Sequence, residues 1–141
     1  MLGFDCDRPR GKFIKTEEGA YMAKTKFNSL HCISETLEEL EIPRTFFICG
    51  QFLESMAMMF GKEEMKKSFC INSPYVEIGD HSYSHSTVKK ILTRPDKIPI
   101  SPEEVENEFK KNTDIFKNIF GLDLSGPSAR PMRSHWASYQ F

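Results

Sequence analysis

Glu77-Ile78-Gly79-Asp80-His81-Ser82-Tyr83-Ser84-His85 carries two imidazoles four residues apart, directly after the short apolar run at residues 75–78. The run reads as a strand and the histidines as the turn that leaves it. On a helical turn, positions i and i+4 project from one face, so His81 and His85 can reach a single ion. Neutral imidazole is the commonest protein ligand for zinc, and a catalytic zinc takes three protein ligands and keeps one position open. Two histidines therefore call for a third ligand from elsewhere. By itself the spacing suits a surface or packing role equally well.

Upstream, residues 2–6 form another short apolar run, ending among Asp5, Cys6 and Asp7. Side chains alternate along a strand, so Asp5 and Asp7 share one face and Cys6 takes the other. Asp7-Arg8-Pro9-Arg10-Gly11 then has the breakers of a loop, which puts the acidic pair at a rim. An isolated Asp-x-Asp here is as readily a turn. Thr45-Phe46-Phe47-Ile48-Cys49-Gly50 is β-branched and aromatic, too short for a helix and closed by Gly, and reads as a buried strand.

Between these runs lie helical patterns. Phe27, Leu30, Ile33, Leu37 and Leu40 recur at three- and four-residue steps, an amphipathic helix that stops before Pro43, with His31 at its surface or boundary. A second helix is expected at residues 51–60, stopped by Gly61, with Met56, Met58 and Met59 as core filler. Residues 87–100, with Pro95 and Pro99, read as loop. Ser101-Pro102-Glu103-Glu104 opens a third helix as a capping box with Pro at the first position. Its stripe is Val105, Phe109, Phe116 and Ile119, and Gly121 is its C-cap.

Strands near residues 2–6, 45–49, 75–79 and 126–131, alternating with helices, imply an α/β fold with a parallel sheet. Active sites of such sheets gather at the carboxyl ends of the strands. Asp5 and Asp7 end the first strand and the histidines follow the third, so both groups are expected at one rim. One carboxylate and two imidazoles there would make a three-ligand metal site with open positions, and the second carboxylate would stand beside it as a base.

The 141 residues fit one domain. With 19 basic and 20 acidic side chains and a net charge of -1, neither sign dominates, so nothing favours nucleic acid or an anionic membrane as partner. The composition, 39% apolar and 28% charged, is that of a soluble protein, and no window is apolar enough for a membrane span. Cys6, Cys32, Cys49 and Cys70 form no Cys-x-x-Cys pair and are expected to be buried free thiols. A cytoplasmic location is expected from that and from the absence of a leader pattern at Met1.

Phe4-Asp5-Cys6-Asp7, Thr45-Phe46-Phe47 and the histidine stretch, in that order, resemble the polysaccharide deacetylase superfamily (NodB homology, carbohydrate esterase family 4). The resemblance implies an incomplete (β/α) barrel of the NodB type, with residues 1–141 as a single partial domain. It implies that Asp5 is the general base and that Asp7, His81 and His85 bind a divalent metal, zinc first, with cobalt, nickel or iron as alternatives. The family's third motif is Arg-x-Pro, whose Arg pairs with the base. The chain has Arg130-Pro131 with no residue between, which makes Arg130 the choice and Arg133 the competitor. The first motif departs as well, since Cys6 separates aspartates that are commonly adjacent, although some deformylase-like and peptidoglycan-modifying members also have Asp-x-Asp. The later carboxylate and the His that serves as general acid have no counterpart, and His135 beside Trp136 reads as a packing or rim residue.

The resemblance implies hydrolysis of a carbon-nitrogen bond, removing an acetyl or formyl group from an N-acylated sugar or related small amide. The alternative is a non-catalytic truncated homologue, or a subunit that binds metal or ligand without the closing motifs. An iron oxygenase with two histidines and one carboxylate is disfavoured, because those enzymes use double-stranded β-sheet scaffolds. The sequence leaves the oligomeric state, the acyl group and the sugar open.

Overall fold

Arg44–Ile48, called β2, lies at the centre of a three-stranded parallel sheet, between β1 (Leu2–Cys6) and β3 (Val76–Asp80). The structure, a computed structural model, describes residues 2–87 and 96–122. In that range the helices are α1 (Glu17–Glu39), α2 (Gly50–Phe60), α3 (Lys62–Phe69) and α4 (Pro102–Phe120), with a short 3-10 helix at Gly11–Lys15. The fold is α/β, with parallel strands and flanking helices, consistent with part of a NodB-type barrel. The expected strand at residues 126–131 lies outside the described residues, as do Arg130, Arg133, His135 and Trp136. Among the described residues no helix is long and apolar enough to cross a membrane.

The register makes the three strands end level. Asp5 pairs with Phe47 and Phe47 with Gly79, while Cys6, Ile48 and Asp80 form the next row. One face, with Phe4, Cys6, Phe46, Ile48 and Ile78, packs on the helices in a core that includes Ala23, Leu30, Phe52, Leu53, Met65, Phe69 and Phe116. The other face carries Gly3, Asp5, Thr45, Phe47, Glu77 and Gly79, none of them an apolar contributor to that core. There the Phe47 ring spreads over both neighbouring strands: a Cβ on Gly3 would meet Cε2 at 3.2 Å, and one on Gly79 would meet Cδ1 at 2.5 Å.

Two helical segments escape a periodicity reading. The first helix starts at Glu17, well before Phe27, with Thr16 as N-cap accepting from the Gly19 amide at 3.0 Å. Its early turns expose Tyr21 and Met22 and bury only Gly19 and Ala23, so the apolar stripe is thin where the cap is strong. Gly19 is required, because any Cβ there would run into the Phe13 carbonyl. Helix α3 carries Glu63–Lys66 and Glu64–Lys67 pairs at 2.7 and 2.8 Å on its wet face, and Met65 and Phe69, one turn apart, are fully buried. Two apolar residues among charges leave little period to see, but they suffice to dock one helix.

Helix α4 opens as expected, with both hydrogen bonds of the capping box, Glu104 N–H to Ser101 Oγ at 3.2 Å and Ser101 N–H to Glu104 Oε2 at 2.7 Å. It closes on Gly121 at φ 73°. Its stripe needs correction: Phe116, Ile119 and Phe120 are buried, Val105 is half-buried, and Phe109 is exposed. Of the methionines expected as core filler, Met56 is buried, but Met58 and Met59 are exposed, because α2 presents only one face to the core. All four cysteines are free thiols, yet only Cys6 and Cys49 are buried. Cys32 is on the exposed face of α1 and Cys70 is half-buried. Burial pushes the Cys6 thiol up to about 12, which makes it inert at neutral pH.

Candidate active site

Because β1 and β3 end level on either side of β2, Asp7 and His81 leave the sheet at the same rim. His81 still belongs to the ladder, its N–H donating to the Ile48 carbonyl at 3.2 Å, and its side chain is 7% exposed. The histidine segment is not a helical turn. It is an irregular loop in which Ser82 and His85 both take left-handed backbone, at φ 59° and 58°. Such residues cost on the order of 1 kcal/mol or more each and need surroundings that fix them.

Those surroundings are polar and specific. The Asp80 Oδ1 accepts from the Ser82 amide at 2.7 Å and from Asn112 Nδ2 at 2.8 Å, and the Ser82 Oγ accepts from the His85 amide at 3.1 Å. Ser84 gives both its donors to Glu108, the amide to Oε2 at 2.7 Å and the hydroxyl to Oε1 at 2.8 Å. In return, the loop caps α2: the Gly50 and Gln51 amides donate to the Ser82 and Tyr83 carbonyls at 3.1 and 2.8 Å. Two N-terminal amides of a helix without a side-chain cap are thereby satisfied. Tyr83 is held between helices, its hydroxyl on Glu54 Oε2 at 2.9 Å and Lys111 Nζ 3.8 Å above its ring.

The folded loop brings the two imidazoles into contact, ring centroids 4.7 Å apart and edge to face. His85 Nε2 stands 3.9 Å from Asp7 Oδ2. Arg10 shares Asp7, donating from NH1 to its carbonyl at 2.5 Å and lying 3.6 Å from Oδ2. Burial, then the neighbouring His85, lowers the His81 pKa, while Asp5 and Asp7 oppose them. The net effect favours the neutral imidazole, the form that binds metal. Asp5 lies exposed on the same sheet face, two positions before Asp7.

One carboxylate and two imidazoles are a donor set for a borderline divalent ion. Ligands of a tetrahedral zinc stand about 3.3 Å apart, so Asp7 and His85 need only about half an ångström of side-chain movement. As they stand, no three His, Cys, Asp or Glu side chains among the described residues are close enough together to hold an ion. The donor types fit the chemistry, and two separations within the trio are short, His85 to Asp7 and His81 to His85, but the three do not close on one point. Sequence reasoning missed the supporting residues Arg10, Glu108 and Asn112. A signal for two of them exists: Glu108, Asn112 and Phe116 repeat at four-residue steps, so a core-facing polar pair sits on the stripe that ends in Phe116.

A family model described as polysaccharide deacetylase matches residues 28–135. The chain belongs to that family. The matched stretch contains Thr45-Phe46-Phe47, the histidine loop and Arg130, and begins after Asp5 and Asp7. No curated protein and no solved structure is significantly similar to the chain.

Proposed function

We propose that this chain is a metal-dependent deacetylase that cleaves the carbon-nitrogen bond of an N-acylated sugar or related small amide. The observation that carries the reading is the approach of Asp7, His81 and His85 at one strand-end rim, with Asp5 on the same face, in a member of the deacetylase family. Asp7, His81 and His85 are the residues that would hold the ion, zinc first, or cobalt, nickel or iron. When bound, such an ion supplies Lewis acidity toward the acyl oxygen and acidifies a water. Asp5 would serve as the general base toward the attacking water, as its place beside Asp7 allows without entering the ligand set. Arg130 is assigned to pair with Asp5.

The test is release of acetate, or formate, from N-acylated sugar oligomers by the purified chain with added zinc or cobalt. Metal-dependent release establishes the reading. The competing reading, a subunit that binds metal or ligand without turnover, predicts metal uptake with no acyl product.

A further inference from the structure

We propose that helix α4 is the brace that sets the spacing of the histidine pair, with Glu108 and Asn112 as positioning residues. This rests on the metal-site reading above. The histidine loop contains two left-handed residues, Ser82 and His85, neither of them glycine, so the chain does not adopt it by local preference. From outside, α2 holds the Ser82 and Tyr83 carbonyls and the Tyr83 hydroxyl, while α4 holds the residues just ahead of the two imidazoles. Glu108 takes both donors of Ser84, the residue immediately before His85. Asn112 ties Asp80, the residue immediately before His81, and also reaches the Ile48 carbonyl at 3.4 Å. Glu108 and Asn112 are one helical turn apart and so move together.

The brace thus grips the loop just ahead of each imidazole. Asn112 is fully buried, and the space it occupies exists because residue 50 is glycine: a Cβ there would overlap Asn112 Oδ1 and touch the Tyr83 ring. Neither Glu108 nor Asn112 belongs to the proposed ligand set. Their part is to hold the residues next to the ligands, in the way outer hydrogen bonds orient metal ligands in general.

The experiment titrates zinc alone into the purified full chain and its Glu108→Ala, Glu108→Gln and Asn112→Ala variants. Amide exchange at Ser84 and melting of the metal-free proteins are followed in parallel. The expected result is about a 10- to 100-fold loss of zinc affinity in Glu108→Ala and Asn112→Ala, with Glu108→Gln between them and the parent because its amide oxygen accepts one Ser84 donor. In metal-free Glu108→Ala, the Ser84 amide exchanges at least about 10-fold faster while amides of β2 keep their protection. Unchanged Ser84 exchange overturns the proposal, as does unchanged zinc affinity in a variant whose Ser84 exchange has accelerated. If the parent takes up no zinc but Ser84 loses protection in Glu108→Ala, the metal reading falls and the brace on the loop stands. Should Glu108→Ala not fold, Glu108→Gln and Ser84→Ala decide by the same two readouts.

Discussion

Asp7 Oδ2 and His85 Nε2 face each other at 3.9 Å, although one residue follows β1 and the other lies in the loop after β3, with β2 between the two strands. On the metal-site reading proposed above, uptake would depend on three side chains from two segments. Purified protein loaded with zinc and dialysed is expected to retain about one ion per chain, as a three-ligand site would. His81→Ala and His85→Ala are each expected to retain close to none. Elemental analysis of the dialysed variants is the measurement, and full retention by either removes the histidines from the site.

Asp5 is expected to separate from Asp7 in function. Asp5→Asn keeps the side-chain size and removes the base, so acyl release should fall by roughly 100-fold or more while zinc content is unchanged. Asp7→Asn should lose both. The reverse pattern, zinc lost with Asp5 and kept without Asp7, would exchange the two assignments.

Gly79 is small because of Phe47. With a Cβ at residue 79 only 2.5 Å from Cδ1 and 2.9 Å from Cε1 of that ring, Gly79→Ala is expected to destabilise the chain by about 1 to 3 kcal/mol, the usual cost of overpacking. Phe47→Leu should remove much of the penalty, so the two substitutions together cost less than their sum in urea unfolding. Additive costs would mean that the ring does not limit residue 79.

At the opposite end of the sheet, the Arg44 guanidinium is fully buried, with NH2 2.7 Å from Glu38 Oε2 and 3.3 Å from the Ser34 carbonyl. Hydrogen bonds from Ser73 and then Arg44 hold the Glu38 carboxyl below its ordinary value of 4.5. A depressed carboxylate contributes stability above its unfolded pKa and loses it as pH falls through the folded one. Glu38→Gln is therefore expected to cost about 1 to 2 kcal/mol at pH 7, reduced from the buried-pair scale because Glu38 is partly exposed. The gap between parent and variant should shrink as pH falls below the ordinary carboxylate value of 4.5 and vanish once pH has passed the lowered folded value. A pH-independent gap in denaturant midpoints would show that shape, not charge, is what Glu38 supplies.

Among the described residues the sequence by itself determined three strands, their order along the chain and the ends of α4, because these depend on local chemistry: β-branched and aromatic runs bounded by Pro and Gly, a capping box, and a glycine at positive φ. It also determined that Asp5, Asp7, His81 and His85 share a rim, since parallel strands joined through helices point their carboxyl ends one way. Tertiary structure decided the rest. It fixed the length of α1 and the existence of α3, where one cap or two buried side chains outweigh a weak period. It sorted the cysteines and methionines into buried and exposed. It also replaced the helical turn expected at His81 and His85 with a loop of left-handed residues. Spacing alone puts two histidines on one face only if the backbone is helical. Here the backbone is held otherwise, by the start of α2 and by Glu108 and Asn112 of α4; the four-residue step of Glu108, Asn112 and Phe116 shows a helix face, but not which distant residues that face will bind.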